Sequence, residues 1–78
     1  MKGDSIFVDV NKTSLSSRIH ILRAEYKMTQ KDLADIVGVS RQTIISIEKG
    51  NYMPSLLLAY KIAKTFEKTI EDVFIFEN

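Results

Sequence analysis

The chain is predicted to be mainly α: five short helices in one bundle, with a β-strand at either end. Three observations point there. Apolar residues recur at helical spacing through the middle of the chain, and Ser14, Thr29, Ser40 and Thr69 stand where helix N-caps are expected. The ends "SIFVDV" and "VFIF" are instead dense in β-branched and aromatic residues.

Its 78 residues form one domain, small enough to bury only roughly 60% of the surface an unfolded chain exposes, so self-association is a natural source of further stability. The division expected is a strand extension over 1–13, a helical bundle over 14–72 and a strand over 73–78. No cysteine is present and His20 is the single histidine, which leaves no thiolate metal site or histidine cluster and no cofactor to expect. No stretch approaches the roughly 20 apolar residues of a membrane span, and the N-terminus lacks an apolar signal core. A cytoplasmic protein is expected. The net charge of +1 decides nothing by itself, so any claim on nucleic acid has to come from geometry.

Ser14 caps a helix over 15–26 whose stripe is Leu15, Ile19, Leu22 and Tyr26. Thr29 opens the second helix with Asp32 at its third position, a capping box, and Met28 and Leu33 are spaced as a hydrophobic staple. That helix stops at Gly38. Ser40 caps the third, which runs to about Lys49, with Gly50 just past its end. Pro54 and Ser55 start a fourth helix to about Phe66, apolar on nearly every face and therefore expected in the centre of the bundle. Thr69 and Asp72 repeat the capping pattern for a short fifth helix. Ile6, Phe7, Val8 and Val10 at one end and Val73, Phe74, Ile75 and Phe76 at the other are expected to pair as antiparallel strands, within one chain or between two.

Two helices joined through a tight glycine-containing turn are a helix-turn-helix. Gly38 sits where the backbone needs positive φ, which costs a residue with a β-carbon about 1 kcal/mol or more. Ala34 leaves room for the third helix to cross, and Leu33, Val37, Val39, Ile44 and Ile47 supply the shared apolar contact. At about 100° per residue, with Gln42 at zero, Ile44, Ile47 and Glu48 fall near 200°, 140° and 240° and face inward. Gln42, Ser46, Lys49 and Ile45 fall on the opposite arc and form an outward face of the kind a major groove reads. Arg41 borders it in the first turn, where recognition helices meet bases.

The motifs "TQKDLA", "GVSRQTI", "IEKG" and "PS" resemble the helix-turn-helix DNA-binding family of lambdoid phage repressors and Cro, also called the xenobiotic-response-element type. The likeness runs from about Ser17 to Phe74. It implies a five-helix DNA-binding domain that acts as a homodimer on double-stranded DNA and regulates transcription. By that resemblance Arg41, Gln42 and Ser46 occupy base-contacting positions, Thr43 touches a phosphate or a thymine methyl, and Arg23 pairs with Glu48. Ile45 is usually polar in the family; here it either reads a thymine methyl or covers a neighbouring helix. Gln30, first in the second helix, anchors the DNA backbone in the family, and a helix N-terminus suits an anion. Ser40, Lys49, Asn51 and Tyr52 flank the recognition helix and are placed for phosphates. Lys27 and Glu67 depart from the pattern, standing where many relatives have glycine.

The expected function is a sequence-specific transcriptional regulator, a repressor, that inserts residues 40–49 in the major groove of an inverted-repeat operator. A two-fold dimer formed through the terminal strands would set two such helices about 34 Å apart. The alternative is an antitoxin-like or adaptor module whose apolar ends bind a protein partner. An enzyme is not expected, since the sequence offers no nucleophile with a base, metal set or phosphate loop.

Overall fold

In the computed structural model, which describes residues 10–77, five helices run between two short strands. A 3₁₀ turn, Val10–Lys12, leads into β1 (Ser14–Ser17), α1 (Ile19–Glu25), α2 (Gln30–Val37), α3 (Arg41–Glu48), α4 (Leu56–Thr65), α5 (Ile70–Val73) and β2 (Phe74–Glu77).

Hydroxyl side chains set where four of the helices begin. Thr29 Oγ1 accepts the Asp32 N–H at 2.9 Å while Asp32 accepts the Thr29 N–H at 3.0 Å, a complete capping box. Thr69 and Asp72 repeat it with both bonds at 3.1 Å. The threonine backbone N–H in each box favours the anion and holds the carboxyls of Asp32 and Asp72 below the ordinary aspartate range. Ser40 and Ser55 cap α3 and α4 by accepting the N–H of Thr43 and Leu58.

Helices α1 to α4 each end on a left-handed residue: Lys27 (φ 54°), Gly38 (81°), Gly50 (78°) and Glu67 (57°). After α1 the Met28 N–H reaches the Arg23 carbonyl at 2.8 Å, and after α4 the Lys68 N–H reaches that of Ala63 at 2.9 Å, the bonds of a Schellman ending. Two of these sites therefore accept the strain of an L-residue in the left-handed region. Lys27→Gly and Glu67→Gly are each expected to raise stability by about 0.5–1 kcal/mol, the relief of that strain less the larger unfolded-state entropy of glycine. Urea midpoints read this directly; a loss in both variants would contradict it.

The start of α1 differs from expectation. Ser14 caps nothing: Ser14–Ser17 is a strand, and α1 begins at Ile19 after Arg18, which makes no side-chain cap. Three serines in four residues favour turn and cap conformations over helix interiors. An antiparallel partner then takes up their backbone groups, in the register Ser14↔Glu77, Leu15↔Phe76, Ser16↔Ile75 and Ser17↔Phe74. The Arg18 N–H closes the corner on the Val73 carbonyl at 2.8 Å. The ends thus do pair within one chain, through β1 and β2, and Val73 belongs to α5 rather than to the strand. Ile6, Phe7 and Val8 lie outside the described residues, and Val10 falls in the 3₁₀ turn.

The core gathers Ile19 and Leu22 of α1, Leu33, Ala34 and Val37 of α2, Ile44 and Ile47 of α3, and Leu58, Ala59, Ile62 and Ala63 of α4, with Phe66 just past α4, Val73 of α5 and Phe74 of β2. Leu15, Met28, Val39 and Ile70 pack on its margin. Tyr26 leaves the predicted stripe: half-exposed, it meets the Phe66 ring edge-on at 5.3 Å and donates its hydroxyl to the Phe66 carbonyl at 3.0 Å.

Helix α4 is not central. Only one side is buried; Leu56, Leu57 and Tyr60 face outward and are 77%, 63% and 52% exposed. Among the described residues no element covers that side, whatever its hydropathy.

Candidate nucleic-acid interface

The turn between α2 and α3 is Gly38, Val39 and Ser40. Gly38 and Val39 both donate their N–H to the Ala34 carbonyl, at 2.9 and 3.0 Å, which ends α2 and turns the chain. A β-carbon built on Gly38 would meet nothing within 4 Å, so its left-handed backbone, not lack of space, selects glycine. Ala34, Leu33 and Val37 are buried with Ile44 and Ile47, fixing how α3 lies on α2.

A polar network locks that arrangement from the side. Arg23 donates Nε–H to Glu48 Oε2 at 2.7 Å, Nη2 to Oε1 at 3.3 Å and Nη1 to the Met28 carbonyl at 3.0 Å. Gln30 Nε2 donates to the same Glu48 Oε1 at 3.0 Å. The Arg23 and Glu48 side chains are 18% and 10% exposed. One carboxylate thus ties the end of α3 to α1, through Met28 to the α1–α2 loop, and to the first residue of α2. The negative charge of Glu48 is turned inward and neutralised.

With Ile44 and Ile47 inward, the rest of α3 is presented outward. Arg41 and Gln42 are exposed, Ile45 and Ser46 half-buried, and Gln42 Nε2 lies 3.5 Å from Ser46 Oγ one turn along. Thr43 is half-buried with its hydroxyl 3.0 Å from that of Ser40, whose oxygen also caps the helix. Lys49, Asn51 and Tyr52 lie at and beyond its end, all three exposed, and the Asn51 N–H closes on the Ser46 carbonyl at 2.9 Å.

Beside α3, an open groove is lined by Arg23, Lys27, Thr29, Gln30, Lys31 and Arg41 around the N-terminus of α2. Lys31 shares its ammonium with Asp35 at 2.8 Å, a bond that raises its pKa. The lining lysines Lys27 and Lys31 were not among the sequence-predicted contacts. Their only signal there was a pair of lysines on either side of the Thr29 cap. The Gln30–Glu48 bond left no trace in the sequence, because it depends on how α2 and α3 cross. Among the described residues no group of three or more His, Cys, Asp or Glu could hold a metal ion, and no helix is long and apolar enough to cross a membrane.

The helix-turn-helix family matches residues 19–73. An uncharacterised HTH-type transcriptional regulator of Archaeoglobus fulgidus is 56% identical over 64 residues, covering 82% of this chain and 91% of that protein. A more distant relative is the transcriptional repressor RstR of the cryptic phage CTXphi in Vibrio cholerae, 34% identical over 58 residues, 74% of this chain and 52% of that one. Among solved structures, a Bacteroides fragilis protein provisionally described as DNA-binding superposes with a TM-score of 0.69 at 27% identity, over 77% of this chain and 97% of that chain. The turn at Gly38, the buried face of α3 and these likenesses agree: the chain belongs to the helix-turn-helix family of DNA-binding transcriptional regulators, of the phage-repressor and Cro type.

Proposed function

We propose that this protein is a repressor that binds an inverted-repeat operator as a homodimer and reads each half-site with α3 in the major groove. One observation carries the proposal: α3 buries Ile44 and Ile47 while its first two residues, Arg41 and Gln42, stay open to solvent. Those side chains suit guanine and adenine edges respectively, by two parallel hydrogen bonds each. Ser46, Thr43 and Ile45 line the same face, where a hydroxyl or methyl can meet a neighbouring base. Gln30, Ser40, Lys49, Asn51 and Tyr52 take phosphates on the two flanks, and Lys27 and Lys31 extend the α2 flank. Such contacts set register and leave specificity to the bases. Repression follows the nature of the RstR relative, and the homodimer follows the symmetry of an inverted repeat.

Selection of bound duplexes from a random pool should recover half-sites in inverted repeat. On the selected duplex, Arg41→Ala and Gln42→Ala should each weaken binding by roughly 5- to 150-fold, the equivalent of about 1–3 kcal/mol, and relax base preference opposite the lost side chain. Thermal midpoints should be unchanged. Both variants retaining full affinity and base preference would reject the assignment. Recovery of no preferred sequence would favour a protein-interaction module with secondary DNA contact.

A further inference from the structure

Resting on the operator reading above, we infer that Ile45 makes α3 a reader of a pyrimidine 5-methyl group, that of a thymine close to the base pairs met by Arg41 and Gln42. The residue is the apolar exception on its face. The other positions of the outward arc are Gln42, Ser46 and Lys49, all polar, with Arg41 at the border.

Packing inside the protein does not account for this isoleucine. Ile45 is half-buried, yet it belongs neither to the core nor to the apolar margin formed by Leu15, Met28, Val39 and Ile70. Ile44 and Ile47 already supply the buried side of α3. Helix propensity does not account for it either. A β-branched side chain loses χ1 freedom in a helix, and alanine or a straight-chain residue serves an outward position better. Ile45 thus carries a small cost with no core contact to offset it.

The major groove supplies the missing partner. The apolar group that base edges present there is the C5 methyl of thymine, or the same methyl on a 5-methylcytosine. A phosphate would gain nothing from a side chain without a donor. Residues three and four apart are neighbours on a helix, so Ile45 lies one turn beyond Arg41 and Gln42. That turn advances about 5.4 Å, between one and two base-pair steps of about 3.4 Å. The methyl therefore belongs one or two base pairs from those that Arg41 and Gln42 read. Thr43 carries a methyl too, but at about 100° from Gln42 it lies well round the helix from Ile45 at about 300°, and its hydroxyl is 3.0 Å from that of Ser40. The two residues are separable by mutation.

The test uses the full chain and the duplex recovered by selection. Each thymine of the half-site is replaced in turn by uracil, which removes the methyl and keeps every hydrogen-bonding group. One such change, within two base pairs of those assigned to Arg41 and Gln42, should weaken wild-type binding by about 4-fold per altered half-site, the worth of one buried methyl-sized group. Ile45→Ala should bind thymine and uracil duplexes alike, while Ile45→Val keeps a branched apolar side chain and should keep the preference. Thermal midpoints of both variants should match wild type; a fall of Ile45→Ala on the scale of a core truncation would return the residue to a packing role and overturn the inference. Cytosine and 5-methylcytosine at the same position separate the two sources of the methyl. Equal binding of those two assigns the contact to thymine alone, and a gain of about 4-fold assigns it to the methyl on either pyrimidine; both results uphold Ile45 as the reader. A wild type indifferent to uracil at every position would overturn the inference and leave the operator reading standing on Arg41 and Gln42. A uracil effect undiminished in Ile45→Ala would also overturn it, by giving the methyl to another side chain such as Thr43. Selection of a half-site without thymine at those steps would do the same, and recovery of no preferred duplex would overturn both readings.

Discussion

Phe66→Ala is expected to cost about 3–5 kcal/mol, the range for truncating a fully buried phenylalanine to a methyl. Phe66 has no exposed surface and lies where α4 ends, its ring against Tyr26 at the end of α1. Removing its ring also forfeits the edge-on contact with Tyr26, an arrangement worth about 0.5–1.5 kcal/mol beyond its area. A domain of 78 residues has a total stability on the order of 4–12 kcal/mol. The variant should therefore sit close to its unfolding threshold at room temperature, with a collapsed urea midpoint and lost amide-exchange protection in α1 and α4. A loss below about 1 kcal/mol would mean the site refills and that this ring does not organise the core.

Glu48→Ala should cost about 2–3 kcal/mol. Deleting one partner of a buried ion pair strands the other, a loss of about 3–5 kcal/mol when burial is complete. Arg23 keeps some contact with water and one bond to the Met28 carbonyl, which places the expectation lower. Glu48→Gln keeps an acceptor for Arg23 and should cost less. Urea unfolding at neutral pH distinguishes the two. DNA affinity supplies a second readout, because Glu48 also holds the Gln30 amide at the start of α2. Glu48→Ala should weaken operator binding even at temperatures where the variant is fully folded. If both substitutions left stability within about 0.5 kcal/mol of wild type, as ordinary surface changes do, the network would be ornamental.

Local chemistry made much of the fold legible. The Thr29–Asp32 and Thr69–Asp72 boxes, the Ser40 cap, and Gly38 and Gly50 with positive φ all depend on backbone groups within a few residues. Spacing of that kind survives in a linear reading. The inward Ile44 and Ile47 were likewise legible, since a helix carries its own periodicity. The Arg23–Glu48 pair was reached through resemblance alone, as periodicity says nothing about which of two helices supplies the partner.

The misplacements share one cause. "SLSS" at 14–17 reads as the head of a helix as long as its neighbours in space are ignored; pairing with Phe74–Glu77, at the far end of the described chain, makes it a strand. Helix α4 reads as central because apolarity on all sides usually means burial. Whether both sides are covered depends on how many elements surround the helix, which no window of its own sequence contains.

By itself the sequence determined where α2 to α5 begin, where α2 and α3 turn back, and which face of α3 is free, because each is settled by bonds or periodicity within one or two turns. Tertiary structure alone decided which strand meets β2, that Glu48 binds Gln30 as well as Arg23, and that Leu56, Leu57 and Tyr60 stay exposed. Those outcomes depend on contacts between distant segments, whose free energy appears only once the chain has closed on itself.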